Sequence, residues 1–141
     1  MKLLVALVLS VALISSASAK VYTKCEFARI MYDSGYPMEH LPDWVCLAIH
    51  ESALNSNVVG GPNTNGSFDW GIFQINDGYW CKVGYVGNDC NMDCNKLVDD
   101  DLTDDIACSK IVYARHGFTA WNAWKSKCQG SLDAYQVTEC F

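Results

Sequence analysis

The sequence predicts an α+β fold: a helical part drawn from both ends of the chain, a small antiparallel β-hairpin part between them, and a cleft where the two meet. Three observations predict it. Apolar residues recur at helical spacing, with capping residues, near residues 23–35, 42–52 and 102–117. Turn-forming residues crowd the intervening stretch from Leu54 to Trp80. Eight cysteines, an even number, lie behind a removable leader and read as four disulfides. With 141 residues and no repeat, linker or low-complexity tract, the chain is read as one domain.

Residues 1–19 are read as a signal peptide. Lys2 gives a short basic start, Leu3 to Ile14 form an apolar run broken only by Ser10, and Ala17-Ser18-Ala19 supplies small residues for cleavage before Lys20. A membrane anchor needs about 20 apolar residues, and this core is too short. Residues 20–141 then form the secreted, extracellular domain.

Thr23-Lys24-Cys25-Glu26 fits a capping box, with Phe27, Ile30 and Met31 following at helical spacing and Gly35 placed to end the helix. A second helix starts near Pro42-Asp43 and runs to about Ser52. Trp44, Val45, Leu47, Ala48 and Ile49 make it apolar on most sides, which predicts deep burial. Asn63-Thr64-Asn65-Gly66 is a turn signal. Phe68 to Ile75 reads as a short strand, with Asn65-Gly66 at the tip of a hairpin. Helix returns near Leu102, with Asp104 and Asp105 in its first turn and Ile106, Lys110, Ile111 and Ala114 as its stripe. Arg115 and His116 precede Gly117 at its end. Another short helix is expected to carry Trp121 and Trp124.

The cysteines are Cys25, Cys46, Cys81, Cys90, Cys94, Cys108, Cys128 and Cys140. Four bridges among eight cysteines allow 105 connectivities, and spacing alone does not choose among them. Cys90-x-x-x-Cys94 could seed a metal site instead, but His40, His50 and His116 are scattered and exported thiols oxidise.

The formal charge is −6. Residues 89–105 hold seven of the sixteen acids (Asp89, Asp93, Asp99, Asp100, Asp101, Asp104 and Asp105) and a single base, Lys96. The acidity is local and asks for a cation. It also argues against nucleic acid or an anionic membrane as the main partner, since both require basic patches.

Two carboxylates stand in contrasting surroundings. Glu51 ends the apolar helix, with Ala48, Leu47 and Trp44 three, four and seven residues back on its own face. Burial there disfavours the charged form, and a raised pKa is what a general acid near neutral pH requires. Asp69 lies in the predicted strand among amides and hydroxyls, which keep a carboxylate ionised. Such a pair is the minimum equipment for glycoside hydrolysis. Spacing alone better suits a plainer reading, one acid marking a helix end and another on a solvated strand face, because acids on such elements are common.

The surrounding words narrow that choice. Trp44-Val45-Cys46, His50-Glu51-Ser52, Asn63-Thr64-Asn65-Gly66-Ser67, Asp69-Trp70-Gly71-Ile72-Phe73-Gln74-Ile75-Asn76, Trp80-Cys81 and Ala120-Trp121-Asn122-Ala123-Trp124, with the eight cysteines in order, resemble a C-type lysozyme, and most nearly those of arthropods. The resemblance implies a lysozyme-like fold and a monomeric, retaining muramidase. Its partner would be the peptidoglycan polysaccharide, cut after N-acetylmuramic acid, in an antibacterial or digestive role. It implies Glu51 as general acid and Asp69 as nucleophile or electrostatic stabiliser. Trp121 would keep the acid dry, and Asn63, Gln74, Asn76, Tyr79 and Trp80 would hold the sugars or orient Asp69. The implied disulfides are Cys25–Cys140, Cys46–Cys128, Cys81–Cys94 and Cys90–Cys108. Trp70 stands where a tyrosine is usual, Tyr79 where many relatives carry tryptophan, and Phe68 is bulkier than the polar residue often found there.

The run Lys96 to Asp105 lacks the glycine and terminal glutamate of an EF-hand. It resembles the calcium loop of alpha-lactalbumins and calcium-binding lysozymes. That resemblance implies a structural calcium held by the side chains of Asp99, Asp104 and Asp105 and the backbone carbonyls of Lys96 and Asp101. Otherwise Asp104 and Asp105 serve a helix N-terminus and the rest are solvated. Five acids in seven residues repel one another without a counter-ion, which favours calcium.

Two weaker signals remain. Asn65-Gly66-Ser67 is an N-glycosylation sequon that its role as a turn already explains, and His50-Glu51 lacks the second histidine of a zinc protease, Leu54 taking its place. An acidic protein is repelled by anionic walls at low salt, which suits digestion in an acidic gut lumen better than broad defence.

Overall fold

The computed structural model describes residues 19–141. The proposed leader, 1–19, therefore lies outside the described residues except for its last position.

Helix α1 spans Lys24–Asp33 and begins as its sequence dictates. Thr23 Oγ1 accepts from the Glu26 N–H, and the Glu26 carboxylate accepts from the Thr23 N–H. Gly35 follows the helix at φ +93°, a conformation that suits glycine. Helix α2, Leu41–Ser52, carries Pro42 in its first turn and buries Leu41, Trp44, Val45, Cys46, Leu47 and Ala48. Trp44 is its anchor. It is fully buried, with the rings of Tyr36, Phe73, Tyr113, Phe118 and Trp121 at centroid distances of 4.8 to 5.6 Å. Burial of such a ring is worth several kcal/mol, about 3–5 on truncation to alanine. Ala53 and Leu54, both left-handed at φ 53° and 59°, stop the helix immediately beyond Glu51 and Ser52.

The sheet is small and antiparallel, in the order β1 (Val59–Gly60), β2 (Asp69–Trp70) and β3 (Ile75–Asn76). The hairpin tip lies where expected: the Asn63 N–H donates to Ser67 O and the Gly66 N–H to Asn63 O. The single strand expected over Phe68 to Ile75 is corrected. It is two strands, paired with each other through a turn at 71–74. Gly71 breaks it: φ is +74°, and a Cβ would lie 2.0 Å from Leu97 O and 2.6 Å from Asp105 Oδ2. Gln74, at φ 49°, closes the turn by donating through Nε2 to Gly71 O and Val58 O.

Helix α3, Thr103–His116, turns a different face inward from the stripe its apolar residues suggest. Asp105, Ile106, Cys108, Ser109 and Val112 are buried, whereas Lys110 and Ala114 are exposed and Ile111 is half-buried. Its orientation is fixed by Cys108 in a disulfide and by Ser109 Oγ, 2.7 Å from the Tyr36 hydroxyl. Helix α4, Asn122–Lys127, carries Trp124, while Trp121 sits just before it in extended backbone.

Four disulfides fasten these parts. Cys25–Cys140 ties α1 to the C-terminus and Cys46–Cys128 ties α2 to the end of α4. Cys81–Cys94 and Cys90–Cys108 staple the long loop after the sheet to itself and to α3. Each closed loop restricts the unfolded chain and contributes roughly 2–4 kcal/mol.

Candidate active site

A cleft of about 490 Å³ separates the helices from the sheet. Glu51 reaches it from the last turn of α2 and Asp69 from β2. Asn63, Gln74, Asn76, Tyr79, Trp80 and Trp121 line the same space, so the sequence-predicted carboxylates and sugar-binding candidates converge on one groove.

The two carboxylates have unlike environments. Glu51 is half-buried, and its pKa is pushed up to about 7. Burial is the chief cause, opposed by a hydrogen bond from the Ala123 backbone and reinforced by the charge of Asp69. Its hydrophobic support comes from α2: the residues one turn back are core residues. Trp121, 5 % exposed, is locked by Nε1 donating to Phe73 O at 2.9 Å.

Asp69 instead receives an amide at each oxygen. Asn63 Nδ2 donates to Oδ2 and Asn76 Nδ2 to Oδ1, both at 2.8 Å. The cross-strand pairing of Asp69 with Asn76 delivers one of these amides, and the hairpin turn delivers the other. Two donors from different elements hold the carboxylate in one orientation.

Ser67 organises both donors and was not singled out as a site residue from sequence. Its hydroxyl lies 3.2 Å from Asn63 Nδ2 and 2.9 Å from Asn76 Nδ2, and donates to Asn65 Oδ1 at 2.6 Å. The sequon that contains it carried the signal, but read as a turn. Asp77 has a similar supporting part: it accepts from the Trp70 Nε1 and from the Phe68 N–H, pinning the unusual tryptophan and the bulky phenylalanine behind Asp69. Gln74 lines the groove but spends its amide nitrogen on backbone, on Gly71 O in its own turn and on Val58 O before β1.

The chain matches the model of the C-type lysozyme/alpha-lactalbumin family over residues 20–140. It belongs to that family. Lysozyme c-1 of Anopheles gambiae is 47% identical over 131 residues, covering 93% of this chain and 92% of the relative. Lysozyme 1 of Musca domestica is 42% identical over the whole of both chains. Among solved structures, a calcium-binding lysozyme from equine milk is 38% identical with a TM-score of 0.76, covering 86% of this chain and 98% of that one. The C-type lysozyme fold is thus the frame in which Glu51 and Asp69 face one groove.

The acidic loop packs against the 71–74 turn, where Leu97 O and Asp105 Oδ2 press on Gly71. Asp105 is fully buried, and neither of its carboxylate oxygens has a hydrogen-bond partner among the described residues. Its pKa is pushed up to about 8 by burial, opposed by the nearby backbone N–H groups of Asp105 and Ile72, which fall short of hydrogen-bond geometry, and reinforced by the charges of Asp99 and Asp104. Asp101 caps Thr103, its Oδ1 accepting from the Thr103 N–H at 2.9 Å and from the hydroxyl at 2.6 Å. Asp99 Oδ1 accepts from the Asp101 N–H. Among the described residues, three or more ligand atoms gather within 4.8 Å only at Cys25, Glu139 and Cys140, where both cysteines are in a disulfide. The acidic loop brings its carboxylates near one another without closing them that tightly.

Proposed function

We propose that this C-type lysozyme is a secreted muramidase that hydrolyses the β-1,4 bond between N-acetylmuramic acid and N-acetylglucosamine in bacterial peptidoglycan. One observation carries the reading: a carboxyl group that keeps its proton to about pH 7 shares a groove with a carboxylate fixed by two amides. Lysozyme is itself the type case for such a pair. Protonated Glu51 gives its proton to the leaving glycosidic oxygen. Asp69, oriented by Asn63 and Asn76, meets the sugar carbon from the other side as nucleophile or charge stabiliser. Glu51, now a base, activates the water that completes hydrolysis with retention. Asn63 and Asn76 are committed to Asp69, so sugar contact falls mainly to Tyr79 and Trp80, with apolar faces suited to sugar rings.

Residues 1–19 direct export and are removed before Lys20. This fits the start of the family match at residue 20, and among the described residues no helix is long and apolar enough to cross a membrane. The acidic charge favours digestive use at low pH over defence.

The acidic loop is proposed to hold a structural calcium through Asp99, Asp104 and Asp105 and the carbonyls of Lys96 and Asp101. The unpartnered, buried carboxylate of Asp105 is the supporting observation: an uncompensated charge there is costly, and a hard cation with oxygen ligands compensates it. A bound calcium would offset part of the loop's negative charge and hold it against Gly71 of the sheet turn. Catalysis needs no cofactor.

The direct test is lysis of bacterial walls followed by turbidity across pH. Glu51 acts as an acid only while protonated, so lysis should fall as pH rises through about 7. An optimum well above neutral would contradict the assignment and the digestive role together.

A further inference from the structure

The groove does not stop at Trp80. A second cavity of about 520 Å³ shares Tyr79, Trp80 and Ala120 with the catalytic cleft and adds Asp89, Arg115 and His116. Three common wall residues make it a continuation of the surface along which a polysaccharide would lie. Its chemistry differs. The catalytic cleft is lined by amides, hydroxyls, aromatic rings and two carboxyl groups, with no lysine or arginine among its described lining residues. Arg115, at the end of α3, is the permanent cation that lines either cavity.

Arg115 is held ready rather than used up. Its Nη1 donates to Asp89 Oδ2 at 2.5 Å, with the two side chains 54% and 41% exposed. Ion pairs this exposed add little stability and exchange readily with solvent and ligands. A guanidinium carries five N–H donors in a planar fork, so an acceptor on one nitrogen leaves room for a second carboxylate. Beside it, the His116 ring stands edge-on to Trp80, centroids 5.8 Å apart at 76°, which fixes the imidazole next to the aromatic platform. On a chain with a net charge of −6, whose cleft already holds Glu51 and Asp69, an anionic substrate gains little elsewhere in the groove.

We infer that Arg115, set beside His116 at the end of the cleft, recognises a carboxylate carried by the glycan, so that the enzyme selects acidic wall polysaccharide over a neutral polymer of N-acetylglucosamine. The inference rests on the muramidase reading and adds a specificity-determining residue to it. N-acetylmuramic acid differs from N-acetylglucosamine by a lactyl ether that ends in a carboxyl group, to which the wall's short peptides are attached. Where a peptide is attached, that carboxyl group is a neutral amide and the carboxylate comes from the peptide; on a bare strand the lactyl group supplies it. Asp89 acts as the competing anion that substrate displaces or shares.

The test compares wild type, Arg115→Gln and Asp89→Asn. One measurement is KM on peptidoglycan stripped of phosphate-rich wall polymers. The other is the dissociation constant of a neutral N-acetylglucosamine tetramer, read by tryptophan fluorescence. Arg115→Gln should raise KM by about three- to fivefold, the loss expected for one charge-assisted contact at a partly exposed site. The same substitution should change the tetramer's affinity less than twofold, because the neutral ligand has no carboxylate to lose. Asp89→Asn should lower KM or leave it unchanged, since it removes the competitor. Equal weakening of both ligands by Arg115→Gln would overturn the inference, because it would mark a general packing role. An unchanged KM would overturn it as well. Glycan strands freed of peptide, whose lactyl groups are then free carboxylates, locate the contact: a KM effect that vanishes on them assigns it to the peptide alone, and one that persists shows that the lactyl carboxylate serves as well. Failure of the wild type to cleave stripped peptidoglycan at all would instead overturn the muramidase reading, and this inference with it.

Discussion

Glu51→Gln is expected to lower wall lysis by roughly 10²- to 10⁴-fold, the contribution of a positioned general acid. Glutamine matches the shape of glutamic acid and keeps the Ala123 backbone contact, but it has no proton to give to the leaving oxygen. The variant should fold. Glu51 titrates from an ordinary 4.5 up to about 7, so the native state binds more protons than the unfolded chain between those values. Its presence therefore makes stability fall as pH rises from 4.5 towards 7, a loss that the uncharged amide does not suffer. Glu51→Gln should melt at or above the wild-type temperature at pH 7 and beyond while losing activity. Turbidity and thermal melting on the same preparation check both halves. Undiminished lysis would sink the assignment. Asp69→Asn is a less clean probe, because it would set a new amide N–H against the donors of Asn63 or Asn76 and disturb the turn as well as the chemistry.

Chelation should have the second large effect, on stability rather than chemistry. A ligand at a hundredfold excess over its dissociation constant stabilises by about 2.7 kcal/mol. Each kcal/mol moves Tm by roughly 2–8 °C across domains of 60–250 residues, so calcium should raise Tm by about 10 °C at low ionic strength. Asp105 gives the sharper version. With chelator present, Asp105→Asn relieves a buried, partnerless carboxyl group and should be no less stable than wild type. With calcium it should fail to gain what the wild type gains. Equal melting temperatures of the wild type with calcium and with chelator would remove the site.

How far the molecule can be read from its residues depends on the range of the interactions involved. The capping box at Thr23 and Glu26 is local, and the helix begins there. The burial of α2 follows from its apolar residues on nearly every side. The break at Gly71 does not follow from its neighbours, because it is enforced by Leu97 and Asp105, distant in sequence and pressed against the turn. Phe68 to Ile75 has the composition of a strand, and tertiary crowding overrides it. The face of α3 departs from its apolar stripe for a similar reason: a disulfide and the Tyr36–Ser109 contact draw polar Asp105 and Ser109 inward.

The candidate site shows the same division. Glu51 and Asp69 stand out because the words around them resemble a C-type lysozyme; helix-end burial and polar surroundings alone leave them readable as ordinary acids. Ser67 does not, since its importance lies in bridging Asn63 and Asn76 across the hairpin. Arg115 and Asp89 are ordinary surface charges until the fold places them beside Trp80.

The most direct measurement is an NMR titration of the Glu51 side-chain carboxyl carbon in the folded enzyme, without substrate. The geometry of the cleft predicts a midpoint near pH 7, falling when Asp69 is replaced by asparagine because a neighbouring negative charge is removed. A midpoint near 4.5, the value of an ordinary glutamate in water, would contradict the account at its centre.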